Sequence, residues 1–178
     1  MKLIITGATG LVGTEVIRQS LRNPKITSVI TLSRRPVTVP EEVGGDLNSD
    51  KLKSLVLKDF TEYPEDVRTE LADADACIWY GVVRVFRLAN LLTRALAITP
   101  LKSRAQKWDD VVQVNQEYPL VALRAIAEAR GSRSSAFRFM YVSGEGASRD
   151  PSKKPAYMGE YLLMRVCNTL SSLYFQTD

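Results

Sequence analysis

The sequence contains no histidine among its 178 residues. A Ser-His-Asp triad, a histidine general base and a histidine-ligated zinc site built from this chain are therefore excluded. Cysteine is scarce as well, because only Cys77 and Cys167 are present, far apart and in apolar surroundings. We interpret both as reduced core residues rather than as a disulfide or a metal-binding pair, and we predict no metal site.

The sequence also lacks an apolar run of about 18 residues, the length that a membrane-spanning helix needs. Strand-like residues begin at Lys2, which leaves no room for a signal peptide, so we expect a cytoplasmic protein. Hydrophobic residues make up 45% of the chain and charged residues 25%, with a net charge of only +4. These values are typical of one globular domain, and they give no indication of nucleic-acid binding.

Short apolar runs alternate with segments of helical periodicity along most of the chain. The predicted strands are Lys2–Thr6, Ser28–Ser33, Lys53–Phe60, Ala76–Gly81 and Phe137–Gly144. The predicted helices are Leu11–Leu21, Glu62–Leu71, Asp109–Arg130 and Tyr157–Leu173. Because the strands are apolar throughout, they predict a parallel sheet that is covered on both faces. We expect an α/β doubly wound sheet in the order 3-2-1-4-5, with a ligand crevice at the carboxyl ends of strands 1 and 4.

Three glycines follow the first strand at intervals of three, in the order strand, glycine turn, helix. Gly7 would permit the tight turn, Gly10 would let the backbone approach a pyrophosphate, and Gly13 would let the helix pack on the strand. The donors expected to face the phosphates are one hydroxyl and two N–H groups, those of Thr9, Leu11 and Val12. The pattern predicts dinucleotide binding.

The segment TGATGLVG, residues 6 to 13, resembles the cofactor motif of extended and atypical short-chain dehydrogenases/reductases. The chain is similar to their NAD(P)-binding, NmrA-like and nucleoside-sugar-epimerase-like branch over most of residues 1 to 147. The segment YVSGEGA, residues 141 to 147, is similar to a segment of small fungal proteins in that branch. The resemblance implies a Rossmann fold. Because members usually continue beyond the last helix, we expect a C-terminally short version of it.

The end of the second strand predicts which dinucleotide binds. It carries Ser33, Arg34 and Arg35 where an NAD-binding protein has an acidic residue for the ribose hydroxyls. Two guanidinium groups suit a 2′-phosphate, and basic residues at this place imply NADP(H) in the family. We therefore predict that NADP(H) is the cofactor.

Two further strand ends correspond to cofactor-binding positions in similar proteins. Asp59 and Phe60 would flank the adenine, with the Asp59 carboxylate accepting a hydrogen bond from the exocyclic amine. The end of the fourth strand would form the wall beside the second ribose and the pyrophosphate, with the residues Tyr80, Gly81 and Val82.

Reductases of this superfamily use a serine and a Tyr-x-x-x-Lys pair, and this chain matches that set only in part. Ser143 matches the serine that orients the substrate carbonyl. Tyr161 has Arg165 four residues later, whereas Tyr157 has Tyr161 there, so neither tyrosine is followed by lysine. Because a nearby cation lowers the pKa of a phenol, Arg165 would supply positive charge to Tyr161, although it cannot replace lysine sterically. The alternative is that these tyrosines only pack.

Residues 83–108 look like a basic amphipathic insertion, with six basic residues between Arg84 and Lys107 and no acidic one. The alternatives for it are a hydrophobic lid over the nicotinamide, a helix that contacts a partner or an organelle membrane, and a plain packed helix. Asn115, in the following helix, corresponds to a structural asparagine in many relatives.

Two classes of function follow from these observations. The first is an NADP(H)-binding oxidoreductase that transfers hydride between nicotinamide and a small carbonyl or alcohol. The alternative is a non-catalytic NADP(H)-binding regulator or scaffold of the NmrA-like kind, or a non-redox isomerase or lyase. The sequence names neither a substrate nor an oligomeric state.

Overall fold

A computed structural model of the chain describes residues 1–40, 48–80, 108–142 and 152. The strands are β1 (Lys2–Thr6), β2 (Ser28–Ser33), β3 (Leu52–Val56), β4 (Ala76–Trp79) and β5 (Arg138–Tyr141). The α-helices are α1 (Leu11–Arg22), α2 (Glu65–Leu71), α3 (Trp108–Val112) and α4 (Tyr118–Arg130). A 3₁₀ turn (Ser49–Lys51) precedes β3, and a π-helical turn (Gln113–Glu117) joins α3 to α4.

The five strands form one parallel sheet in the order β3-β2-β1-β4-β5. The central strand β1 pairs Leu3 with Val29 of β2 on one side and with Ala76 of β4 on the other. The predicted fold class and strand order are therefore confirmed. The order reverses between β1 and β4, so their carboxyl ends flank the crevice where open α/β sheets bind ligands.

Helices cover both faces of this sheet, which explains why the strands are apolar at successive positions. Leu3 and Ile5 of β1 belong to a buried cluster with α1, whereas Ile4 belongs to a cluster with α2 and α4. The helix side chains buried in these clusters are Ile17, Leu21, Val67, Leu71, Ala122, Ala125 and Ile126. Neighbouring strand residues thus face opposite layers, and neither layer tolerates a charge.

Two element boundaries on the β3 side were predicted wrongly. β3 ends at Val56 rather than Phe60, because Asp59 Oδ1 accepts hydrogen bonds from the N–H and the hydroxyl of Thr61, each at 2.8 Å. That turn takes the chain away from the sheet. Helix α2 begins at Glu65 rather than Glu62, because Pro64 is extended (ψ 157°) and the residue before a proline avoids helical backbone.

The strands β4 and β5 are shorter than predicted within the described residues. β4 ends at Trp79, because the Tyr80 N–H donates to Thr6 Oγ1 at 2.9 Å rather than to a backbone carbonyl. β5 begins at Arg138 rather than Phe137 and ends at Tyr141, although the Val142 N–H still donates to the Trp79 carbonyl at 2.9 Å.

The predicted helix Asp109–Arg130 is present as one helical run from Trp108 to Arg130, and it contains a π-helical turn that the sequence did not predict. Pro119 has no N–H to donate to the carbonyl four residues earlier, that of Asn115, and the π-helical turn lies there. The Tyr141 hydroxyl donates to that carbonyl at 3.2 Å. Gly131 ends the helix as expected, with a positive φ of 53° and its N–H donating to the Ala127 carbonyl at 3.2 Å.

The predicted helix Tyr157–Leu173 lies outside the described residues, as does the insertion apart from Trp108, which begins α3. Within the described ranges, no helix combines the length and apolarity needed to cross a bilayer. Cys77 is fully buried, and burial raises the pKa of its thiol, whereas Cys167 lies outside the described part of the chain.

Candidate functional site

The turn after β1 is held by close backbone packing that two of its glycines make possible. Gly7 has a positive φ of 65°, and a Cβ built on it would lie 2.4 Å from the Tyr80 carbonyl oxygen. A Cβ on Gly13 would lie 2.3 Å from the Gly7 carbonyl oxygen. Both contacts are too short for any side chain, so glycine is required at each position for the packing of β1, β4 and α1.

Gly10 differs from the other two glycines because its surroundings are open. The nearest atom to a Cβ there is the Gly7 carbonyl oxygen at 3.3 Å, and no second atom of the described residues lies within 4 Å. Its φ of −88° is accessible to any residue. Internal packing therefore explains Gly7 and Gly13, whereas Gly10 leaves backbone accessible beside the first turn of α1.

The N-terminus of α1 offers hydrogen-bond donors to an anion. Gly10 is the N-cap residue, no side chain caps the helix, and its first turn contains no acidic residue. The first N–H groups of a helix have no partner within it, so those of Leu11 and Val12 face outward with the positive end of the helix dipole. Both side chains are exposed, Leu11 by 68%, and Thr9 beside them is exposed as well.

The end of β2 forms a turn that presents two guanidinium groups. Ser33 is buried and its hydroxyl donates to the Arg35 carbonyl, so this serine shapes the turn. The side chains of Arg34 and Arg35 are exposed. The Ser33 carbonyl accepts a hydrogen bond of 2.9 Å from the Leu57 N–H, which ties the turn to the segment after β3.

That segment brings Asp59 and Phe60 to the same edge of the sheet. The two hydrogen bonds from Thr61 lower the pKa of the exposed Asp59 carboxyl, which is therefore ionised at neutral pH. Both bonds use Oδ1, and Oδ2 has no partner among the described residues. Phe60 is half-buried, with its ring edge-on to that of Trp79 at a centroid distance of 5.9 Å.

Tyr118 is a site residue that the sequence analysis missed. Its ring lies 5.7 Å from that of Phe60, centroid to centroid, at an interplanar angle of 31°. Partial burial raises the pKa of Tyr118, the negative charge of Asp59 raises it further, and the positive charge of Arg34 lowers it. The tyrosine follows Asn115 in the same helical run and belongs to no recognisable motif, so only the fold brings its ring to Phe60.

The remaining predicted residues lie at the ends of β4 and β5 or beyond them. Tyr80 is half-buried and closes the turn through its contacts with Thr6 and Gly7, whereas Gly81 and Val82 lie outside the described residues. The described chain reaches Val142, one residue before Ser143. Four predicted catalytic residues are not among those described, namely Ser143, Tyr157, Tyr161 and Arg165.

Two hydrogen bonds connect Asn115 to its own helix and to the end of β5. Asn115 is buried in the π-helical turn, where its Nδ2 donates to the Val111 carbonyl at 2.8 Å. The bond from the Tyr141 hydroxyl to the Asn115 carbonyl then links this turn to the end of β5. Asn115 therefore has a structural role: its side chain bonds within the helix, and its backbone carbonyl connects the helix to β5.

The strand order, the glycine turn and the helix that follows the turn together identify the fold. The chain has a Rossmann fold. Among solved structures, it superposes on uronate dehydrogenase from Agrobacterium tumefaciens with a TM-score of 0.57 and 17% identity, over 98% of this chain and 56% of that one. UDP-glucuronic acid 4-epimerase from Bacillus cereus, whose structure contains NAD, matches with a TM-score of 0.59 and 14% identity, over 99% and 53%. A short-chain dehydrogenase/reductase superfamily protein from Agrobacterium tumefaciens with bound NAD matches with a TM-score of 0.54 and 16% identity, over 99% and 46%.

No protein-family model matches the sequence. Among curated proteins, the chain is 33% identical over 75 residues to the mitochondrial protein FMP52 of Candida albicans, which is 42% of this chain and 30% of that protein. It is 27% identical over 147 residues to leucinostatins biosynthesis cluster protein T of Purpureocillium lilacinum, or 82% of this chain and 44% of that protein. The chain thus spans half or less of these relatives, and its assignment to the NmrA-like branch stays a prediction.

Because the glycines have different surroundings, replacing each by alanine should lower the free energy of unfolding by different amounts. Gly13→Ala should destabilise the fold by about 1–3 kcal/mol, because backbone must move to admit the new Cβ. Gly10→Ala is the matched control and should cost clearly less, since only one atom of the described residues lies near its Cβ. Urea unfolding followed by circular dichroism measures both free energies. Equal losses would contradict the packing described here.

Proposed function

We propose that the chain binds NADP(H) in the crevice between the ends of β1 and β4 and acts as an oxidoreductase on a small carbonyl or alcohol. The observation that carries the proposal is the turn at Gly10. The half-buried Gly10, which has one close neighbour among the described residues, adjoins an uncapped helix N-terminus that has no acidic residue in its first turn. That combination suits a pyrophosphate, because N–H groups and the helix dipole both favour negative charge.

The choice of NADP(H) over NAD(H) rests on the end of β2. Arg34 and Arg35 are exposed there, and the strand ends without the acidic residue that would repel a 2′-phosphate. Guanidinium groups bind phosphate through several charge-assisted hydrogen bonds. Asp59 fits the adenine side, because its ionised carboxylate keeps Oδ2 available to accept from an amine.

The catalytic residues that we propose are those implied by the resemblance to short-chain reductases. NADPH supplies a hydride for the carbonyl carbon when it is bound. Ser143 would orient the carbonyl oxygen, and Tyr161 or Tyr157 would donate the proton that the oxygen takes up. Arg165 lies one helical turn after Tyr161 in the predicted helix, where its charge would favour the phenolate that remains.

One specific observation favours the non-catalytic alternative. Neither Tyr157 nor Tyr161 is followed four residues later by lysine, so a regulator or scaffold that keeps the nucleotide crevice without turnover is the second candidate. In that case the basic segment 83–108 would contact a protein partner or a membrane surface.

Nucleotide selectivity tests the proposed cofactor. By isothermal titration calorimetry, the wild-type chain should bind NADPH more tightly than NADH. Replacing both Arg34 and Arg35 by alanine should weaken NADPH at least about tenfold, because charged hydrogen bonds are lost, and leave NADH within about twofold. Arg124→Ala, an exposed change on α4, is the control and should alter neither affinity. Equal losses for both nucleotides would contradict a 2′-phosphate site.

Turnover distinguishes the two candidate functions. With NADPH and a panel of aldehydes, ketones and quinones, we expect loss of absorbance at the nicotinamide band for at least one substrate class. Tyr161→Phe should then lower kcat by about 100-fold or more, whereas Tyr157→Phe should not, because only Tyr161 has a cation one turn away. NADPH binding without turnover on any member of the panel would instead favour the regulator.

A further inference from the structure

Ser54 ties the chain beyond the two arginines back onto the sheet. Its Oγ accepts a hydrogen bond of 2.9 Å from the Val37 N–H, and the serine is half-buried on β3. In the sheet register Ser54 pairs with Thr31, which lies two residues before the end of β2. Val37 therefore lies beside the middle of β3, so the chain has turned back between Ser33 and Val37.

Two anchors hold this turn, one on each side of Arg34 and Arg35. Before the arginines, the hydroxyl of the buried Ser33 donates to the Arg35 carbonyl. After them, the bond to Ser54 holds Val37, whose side chain packs against the buried cluster beneath α1. The backbone between the anchors is short, so the two exposed arginine side chains extend from a fixed base.

A proline restricts the same turn further. Pro36 lies between the arginines and Val37, and its ring fixes its own φ. The residue before a proline avoids helical backbone, so Arg35 is restricted as well. A loop that is already held in the shape that binds a ligand loses less conformational entropy on binding, which raises the affinity.

We propose that Ser54 is a positioning residue for nucleotide selectivity: its hydroxyl holds the turn from which Arg34 and Arg35 reach the 2′-phosphate, and it does not itself contact the nucleotide. This inference rests on the proposed function, because Ser54 acts through the arginines of that site. Loss of the hydroxyl would keep both guanidinium groups in the chain but let their backbone adopt other conformations. The expected result is weaker binding of the 2′-phosphate without weaker binding of the rest of the nucleotide.

Two probes, 2′,5′-ADP and 5′-AMP, separate binding of the 2′-phosphate from binding of the rest of the nucleotide, by calorimetry on the full chain. Ser54→Ala should weaken 2′,5′-ADP about fivefold and leave 5′-AMP within about twofold, because only the presentation of the arginines changes. Ser54→Thr keeps a hydroxyl acceptor and should bind 2′,5′-ADP within about twofold of the wild type. In a background that carries both Arg34→Ala and Arg35→Ala, Ser54→Ala should have no further effect on 2′,5′-ADP.

Ser28→Ala is the matched control. Ser28 is also half-buried on a strand, but it begins β2 and pairs with Lys2, at the opposite end of the strand from the turn. The variant makes the same chemical change and should leave both affinities unchanged. Thermal unfolding shows whether each variant remains folded.

Amide hydrogen exchange tests the anchor in the wild type and does not depend on how a variant folds. The Val37 amide should exchange with solvent more slowly than the amide of the exposed Thr38, because Ser54 Oγ accepts the Val37 hydrogen. Equally fast exchange of the two amides would overturn the role of Ser54.

The binding outcomes separate this inference from the one on which it rests. Binding of 2′,5′-ADP with the same affinity by the wild type and Ser54→Ala would overturn the role of Ser54 and leave the nucleotide site intact. Equal weakening of both probes, or an undiminished effect of Ser54→Ala without the two arginines, would also overturn that role. Failure of the wild type to bind either probe would overturn both the nucleotide site and the role of Ser54.

Discussion

The candidate site depends on how closely three backbone segments meet at the end of β1. Gly7 lies against the carbonyl and the side chain of Tyr80, and Gly13 lies against the Gly7 carbonyl, so strand β1, the end of strand β4 and helix α1 come into close contact. The side chain of Thr6 completes the junction by accepting the Tyr80 N–H. This close approach places the first turn of α1 beside the crevice between β1 and β4. A side chain at Gly13 would push the helix away from the turn, and a side chain at Gly7 would push Tyr80 away from it.

The rest of the site is arranged around that junction by hydrogen bonds between neighbouring loops. Ser33 shapes the turn that presents Arg34 and Arg35, and it accepts the Leu57 N–H from the chain after β3. Thr61 holds the carboxylate of Asp59. Two exposed arginines after β2 and an ionised acid after β3 therefore follow neighbouring strands, where we propose that the adenosine end of a nucleotide binds. This division of charge is what a ligand with a phosphate and an amine would require.

The sequence predicts the strand order and the glycine turn well, because both depend on local signals. Apolar strands that alternate with helical periodicity specify a doubly wound sheet, and the spacing of Gly7, Gly10 and Gly13 specifies the turn. The boundary at Phe60 was wrong, because a side-chain hydrogen bond of Asp59 ends the strand early and leaves no apolar signal. Tyr118 was missed, because Phe60, on which its ring packs, is far away in sequence. The chemistry assigned to Ser143 and Tyr161 stays a prediction from the resemblance alone.

The most direct test of a nucleotide cradle at this junction is an amide-resolved titration by NMR with NADPH. The account predicts the largest changes in chemical shift at the N–H groups of Gly10, Leu11 and Val12, since these would donate to the pyrophosphate. Smaller changes should follow at Arg34 and Asp59, whose side chains would bind the ligand. Unchanged resonances at the start of α1, at NADPH concentrations that saturate any binding seen elsewhere, would contradict the account.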